Sequence, residues 1–290
     1  MTQEETDAYE SLESLPGEFD IPEQILINIK SIEYSKEKFK LWCDSLIFEE
    51  AIEPLEAHIK AYKVSFETIK NSKSLRKVLC YTLAFGNILN GGTTKGQADG
   101  FTLDAISKLQ TIKDNYGKTL LQVIAIKIKN DDEEFGNIRR EFEICENALK
   151  IPVNETKGEI DKLIKATNEN VQIFNKLNTK DNFMTKMNKI LFENLDRITK
   201  LNELVVESQL LAQKVIAFFG YPKTDAKFKK PDDFLTLVYD FSKELDKAIP
   251  VTEAKKAFKG AQPMGKKITG TEKNAGLDSL LNGLKAKIAG

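Results

Sequence analysis

The chain has 290 residues, of which 41% are hydrophobic and 30% charged, and its formal net charge is -1. That apolar content can bury a sizeable core, as one elongated unit or as two domains, and a balance this close to neutral excludes nucleic-acid or membrane binding by bulk charge. No apolar run approaches the roughly 20 residues of a membrane helix, and the acidic start MTQEETDAYE is unlike a signal peptide, so the expected location is cytoplasmic. Cys43, Cys80 and Cys145 have no spacing that suits a disulfide framework or a zinc site, and we read them as buried free thiols. His58 is the only histidine, and G-x-S-x-G, Walker and HExxH patterns are all missing. Neither catalysis nor a metal or cofactor is expected.

In chain order, Thr2 and Glu5 form a capping box for an acidic helix over Thr2–Glu13, and Pro16-Gly17 makes a turn. Asp20 caps a helix with Pro22 in its first turn and an apolar stripe of Ile25, Leu26, Ile29 and Ile32. Ser35 opens the next helix, whose buried side is expected to hold Phe39, Trp42, Leu46 and Ile47, with Trp42 and Phe48 in the core. Pro54 should interrupt or kink that helix, since proline lacks a backbone donor. Helical spacing resumes through Leu55, Ile59, Val64 and Ile69, and Ser72 or Ser74 can cap the helix that follows.

The stretch from Cys80 to Leu121 organises the rest. Gly86 sits inside an apolar helix, where glycine costs about 1 kcal/mol relative to alanine, so it is expected to mark a close approach. Asn90-Gly91-Gly92 stops the helix, a polar loop runs from Thr93 to Asp99, and after Gly100-Phe101 a second helical spacing appears in Leu103, Ile106 and Leu109. Lys108, Lys113 and Lys118 add positive charge around it. The helix then continues beyond Leu121 as LQVIAIKI, and Asp131 or Asp132 can cap another that carries Phe135, Ile138, Phe142, Ile144 and Leu149 before Pro152.

Asn154 starts a helix with Ile160, Ile164, Val171 and Phe174 on one stripe, and a break near Thr179-Lys180-Asp181 leads to a longer one. There, heptad spacing runs through Met184, Met187, Leu191, Asn194, Ile198, Leu201, Val205, Ser208, Ala212, Val215 and Phe219, with only Asn194 and Ser208 polar. Gly220 and Pro222 end it, and Pro231 opens a helix with Phe234, Leu235, Leu237, Val238 and Phe241. The predicted fold is all-α, an elongated helical bundle with a long antiparallel coiled coil. From Lys255 the composition turns to glycine and lysine, and the chain ends in Leu277, Leu280, Leu281, Leu284 and Ile288, one face of a short helix built to dock.

The ordered pattern Gly86-Asn87-x-Leu89-Asn90-x-Gly92, Gly96-x-Ala98-x-Gly100-Phe101-x-Leu103, Lys108-Leu109, Lys113 and Lys118-Thr119-Leu120-Leu121 resembles the signature of the formin homology-2 domain, an actin-assembly module. The exit IAFFGYPKTDAKFKKPDDF is similar to the end of that domain, so the resemblance covers roughly residues 3–249. It implies a post subdomain in which Gly86, Asn87, Leu89, Asn90, Gly92, Gly100 and Phe101 form a pocket for the lasso of a second subunit. It also implies that Lys113 contacts actin, with Lys108 and Lys118 beside it, and that the coiled coil sets the spacing between knob and post. Leu277, Asp278, Leu280, Leu281 and Leu284 resemble the diaphanous autoregulatory motif, which binds an N-terminal inhibitory domain, although Leu277 stands where methionine is common and only Lys285 and Lys287 replace the basic cluster.

On this resemblance, residues 1–250 are a partial formin homology-2 domain lacking lasso, linker and early knob, 251–275 a flexible basic linker, and 276–290 an autoregulatory-like helix. The implied function is non-enzymatic: actin nucleation and processive association with barbed ends, in the cytoplasm and on the cytoskeleton. This chain alone is expected to be monomeric and weakly active. The competing expectation is a coiled-coil scaffold with a docking tail and no actin activity.

Overall fold

The computed structural model describes residues 20–30, 32–132, 135, 138–222, 228 and 230–249. The acidic helix expected over 2–13, the linker 251–275 and the helix expected at 276–290 lie outside the described residues. The elements are α1 (Ile21–Lys30), α2 (Ser35–Asn71), α3 (Lys73–Leu89), a 3-10 helix (Leu103–Gln110), α4 (Leu120–Asp131), α5 (Ile138–Glu141), α6 (Ile144–Leu149), α7 (Val153–Lys176), α8 (Asn182–Phe218) and α9 (Pro231–Ala248). Among the described residues the fold is all-α, and extended pairing is limited to one isolated bridge between Lys113 and Thr119. No helix among them is long and apolar enough to cross a membrane. Two compact units are formed, residues 1–56 with 157–203 and residues 57–156 with 204–290.

In the first unit, the core joins Leu41 of α2 to Leu177 and to Met184, Met187 and Leu191 of α8, with Ile173, Phe174, Phe183 and Ile190 packed around them. Lys38 pairs with Asp181 at 2.6 Å, and Arg197 reaches Glu49 at 3.0 Å and Glu56 at 3.4 Å. Partner numbers therefore rise together along α2 and α8, which run parallel here. α7 and α8 form a hairpin turned through Leu177–Asp181, with Ile173 and Phe174 of α7 packed against the cluster of Met184, Met187 and Leu191, and the Asp181 carboxylate accepts the Met184 N–H at 2.8 Å and caps α8. The heptad stripe is buried as expected: in this unit Met184, Met187, Leu191, Asn194, Ile198 and Leu201 all face inward, and in the second Val205, Ser208, Ala212 and Val215 do so.

The face of α2 differs from the expectation. Phe39, Trp42, Leu46 and Ile47 are exposed, Trp42 at 54%, whereas Leu41, Ser45, Phe48 and Ile52 are buried, so only Phe48 is core as predicted. Both stripes fit a period of 3.6, and the packing partners select the one with fewer aromatic rings. Pro54 does not interrupt α2 either. It is exposed, as is Glu50 one turn earlier, so water can satisfy the carbonyl that proline leaves without a donor.

The ion pair at Asp181 gives a pH prediction. Its hydrogen bond from Lys38, followed by the Met184 N–H, holds the Asp181 carboxyl below the usual carboxylate range. A depressed folded value means that its stabilisation is complete above the unfolded value of about 3.9 and is lost as pH falls through the folded one. Asp181→Asn keeps a capping oxygen and removes the charge. Its stability deficit in urea titrations is expected at pH 7 and should shrink as pH falls below the unfolded value; a deficit that stays constant as the carboxylates are titrated would assign the effect to something other than the charge.

In the second unit, α9 packs against α4, α5, α6 and the 3-10 helix, and α3 packs against α4. Phe234 of α9 is fully buried, with ring centroids of Phe66 at 6.2 Å, Phe219 at 5.6 Å and Phe228 at 5.4 Å, while Tyr62 stands edge-on to Phe66 at 5.1 Å. Tyr62 and Phe66, rather than the exposed Val64, fill this part of α2. His58 is a buried clamp: one ring nitrogen lies 3.1 Å from the Ala148 carbonyl and the other 2.9 Å from the Thr156 hydroxyl. Cys145 is buried, which pushes its thiol up to about 11, but Cys43 and Cys80 are exposed, against expectation. Asp132 ends α4 as its C-cap and does not open a helix.

Candidate functional site

The glycine-rich stretch is built on α3. Ser72 caps it, accepting the Leu75 N–H at 2.9 Å, and Leu75, Val78, Thr82, Phe85 and Leu89 are its buried stripe. Asn90 ends the helix, and Gly92 takes the left-handed conformation at φ 81°, where a side chain would be strained. The Asn90 carbonyl then accepts from both the Thr93 N–H, at 3.0 Å, and the Thr93 hydroxyl, at 2.8 Å. A Cβ on Gly96 would lie 2.5 Å from that same carbonyl oxygen. Gly96→Ala is therefore expected to cost about 1–3 kcal/mol or to reopen the loop, checked by thermal unfolding; an unchanged midpoint would contradict this packing.

Asn87 closes the loop from the helix side. Its amide donates to the Ala98 carbonyl at 2.9 Å and its carbonyl accepts the Ala98 N–H at 2.8 Å, so one side chain imitates a strand partner. Gly86 meets nothing within 4 Å where a Cβ would be, so the expected close approach is not made among the described residues. Leu89 is buried. Of the seven residues expected around one pocket, Gly100 and Phe101 line an apolar groove of about 210 Å³, together with Leu79, Cys80 and Leu83 of α3, Leu103 and Phe219. Gly86, Asn87, Leu89, Asn90 and Gly92 instead shape the helix end and loop beside it. Leu79 and Leu83, one helical turn apart, were the signal for the groove wall; nothing in the spacing pointed to Phe219, more than a hundred residues away.

Leu103, Ile106 and Leu109 are buried on a 3-10 helix rather than an α-helix, and their strict interval of three matches its three residues per turn. The Tyr221 hydroxyl pins its start, donating to Asp104 Oδ1 at 2.9 Å and accepting the Asp104 N–H at 3.1 Å. After it, Lys113 bridges to Thr119, and the chain between them folds around Asp114, whose buried Oδ1 accepts the N–H groups of Tyr116 and Lys118, each at 2.8 Å. Gly117 supplies the positive φ of 82°. Thr119 and Gln122 form a reciprocal capping box that opens α4.

A short rigid turn thus presents Lys113 and Lys118 outward with Tyr116, which is 78% exposed, and Lys108 is exposed on the 3-10 helix. The three ammonium groups make no side-chain hydrogen bond or ion pair among the described residues. Exposed cations thus stand on a hydrogen-bonded backbone segment, in the same unit as the apolar groove. No group of His, Cys, Asp and Glu that could hold a metal occurs among the described residues.

The chain is all-helical among the described residues. Its family is shown by comparison: residues 1–246 match the Formin Homology 2 Domain, and the chain belongs to that family. It is similar to Formin-G of Dictyostelium discoideum, 27% identical over 240 residues, which cover 78% of this chain and 22% of that protein. Formin-2 of Homo sapiens is 27% identical over 240 residues, 78% of this chain and 14% of that protein. Protein diaphanous homolog 3 of Homo sapiens is 28% identical over 237 residues, 79% of this chain and 19% of that protein. The chain thus spans less than a quarter of the length of these relatives.

Proposed function

We propose that this chain is the actin-binding part of a formin, a non-enzymatic factor that promotes nucleation of actin filaments and stays with growing barbed ends, in the cytoplasm and on the cytoskeleton. The observation that carries the reading is the family match over residues 1–246, which contains the whole signature from Gly86 to Leu121. Lys113, with Lys108 and Lys118 beside it, contacts actin. The groove at Gly100 and Phe101 takes an apolar segment from the lasso of a second formin homology-2 subunit. The terminal stretch with Leu277, Asp278, Leu280, Leu281 and Leu284 docks on an N-terminal inhibitory domain.

The supporting physics is simple. A cation on a preformed turn loses little conformational freedom when it meets an acidic partner surface, so more of its interaction appears as affinity. Sedimentation of the chain with sheared actin filaments tests the reading. The bound fraction should rise with the number of filament ends at constant actin mass, and a chain that stays in the supernatant at every end concentration would overturn it.

A further inference from the structure

A second recess, of about 390 Å³, lies in the unit formed by residues 57–156 and 204–290. Tyr62 and Tyr221 lie buried at its base, and Gln213, Phe228 and Pro231 form half-buried walls. The volume falls within the range of small-molecule sites, roughly 300–1,000 Å³. What singles it out is its polar chemistry. The Tyr62 hydroxyl and Gln213 Oε1 are buried and have no hydrogen-bond partner, and neither has Asp232 Oδ1, next to Pro231. Buried polar side-chain atoms are almost always paired, so two orphans on the lining, with Asp232 beside them through the Val153 N–H and its charge on Tyr62, ask for an occupant.

The three orphans are unequal. A phenol both donates and accepts, whereas an amide oxygen and a carboxylate oxygen only accept, so the occupant must be rich in donors. No lysine or arginine is among the described residues that line the recess. Burial raises the Asp232 carboxyl above the usual carboxylate range, although the Val153 N–H opposes this, and the charge of Asp232 adds to burial in pushing the Tyr62 hydroxyl well above its usual range. Tyr62 therefore stays a donor, and the charges of His58 and Lys230 that act on Asp232 do not offset its burial. Tyr221 and Phe228 set their rings edge to face at 4.7 Å, and the Tyr221 hydroxyl is already committed to Asp104. Their contribution to the recess is apolar and aromatic.

Two acceptors, one carboxylate and aromatic faces match a planar cation with several N–H groups. We propose that this recess binds a guanidinium group, which donates to Gln213 Oε1 and Asp232 Oδ1 while stacking on the aromatic wall. A guanidinium suits the site better than an ammonium because its fork of donors is planar, weakly hydrated and able to stack. Its source is either a small guanidine compound or an arginine side chain of a partner protein. The site is independent of the actin reading and uses none of its residues.

The test is heteronuclear NMR on the full chain, titrated with propylguanidine, with butylammonium as matched control, and with a blocked arginine tripeptide. Propylguanidine should produce saturable shifts of the Gln213 side-chain amide and of Tyr62. Asp232→Asn should weaken binding at least tenfold and Gln213→Leu at least threefold, in proteins whose helical content is unchanged. Equal binding of the tripeptide points to a partner's arginine, and exclusion of the tripeptide points to a free compound. The proposal is overturned if propylguanidine gives no saturable shift, if butylammonium binds as tightly, or if Gln213→Leu and Asp232→Asn both bind like the parent.

Discussion

Lys113→Asp is expected to lower affinity for actin at least about 30-fold while leaving the circular dichroism spectrum and the unfolding midpoint unchanged. The functional half rests on the proposed actin contact: reversing a cation that meets an acidic partner surface replaces attraction by repulsion, and breaking a charge pair desolvated on binding costs about 2–5 kcal/mol. The structural half follows from the geometry, because the Lys113 side chain is exposed and supports nothing else among the described residues. The turn is held instead by the buried Asp114 carboxylate and by the backbone pairing of Lys113 with Thr119. Titration against fluorescent actin filaments of known end concentration measures the loss. A variant that binds within threefold of the parent would remove Lys113 from the interface.

The largest effect on stability is expected at Phe234. It is fully buried at the start of α9, with the rings of Phe66, Phe219 and Phe228 within 6.2 Å of its centroid. Truncating such a phenylalanine removes its transfer free energy and leaves a cavity that its neighbours fill only in part, so Phe234→Ala should cost about 3–5 kcal/mol. That is a large share of the roughly 5–15 kcal/mol that holds a domain together. Phe192→Ala is the control: that ring is 74% exposed, and its loss should change stability by less than about 0.5 kcal/mol. Urea titration of both variants decides the matter, and a Phe234→Ala cost below 1 kcal/mol would show that the aromatic cluster contributes little.

The heptad stripe of α8 was legible because a long amphipathic pattern has one consistent solution. Ten of its eleven named positions, all but Phe219, are buried, including the polar Asn194 and Ser208. Ser72 could likewise be read as a cap, since only its hydroxyl and that of Ser74 were available where α3 begins. α2 was different. Phe39, Trp42, Leu46 and Ile47 make a stripe as regular as Leu41, Ser45, Phe48 and Ile52, and periodicity carries no term for which face meets the parallel helix α8. The same holds for Pro54, whose effect depends on whether water can reach the carbonyl it strands.

Around the glycine-rich loop, the motif marked the segment but not the structural duties of its residues. Asn87 clamps Ala98, Gly96 accommodates the Asn90 carbonyl, and Gly86 faces open space, three roles that one signature does not separate. The interval of Leu103, Ile106 and Leu109 was visible, yet it fits the face of an α-helix nearly as well as the tighter 3-10 turn. The recess at Tyr62, Gln213 and Pro231, with Asp232 beside it, had no signal at all, because these residues lie on segments separated by many residues.

The most direct measurement is the growth of single actin filaments from preformed seeds, followed by fluorescence microscopy with and without a micromolar concentration of the chain. Barbed ends should elongate more slowly in its presence, pointed ends should be unaffected, and the slowing should disappear with Lys113→Asp. Barbed-end growth that is identical with and without the chain, up to the highest soluble concentration, would contradict the claim that this surface engages the filament end.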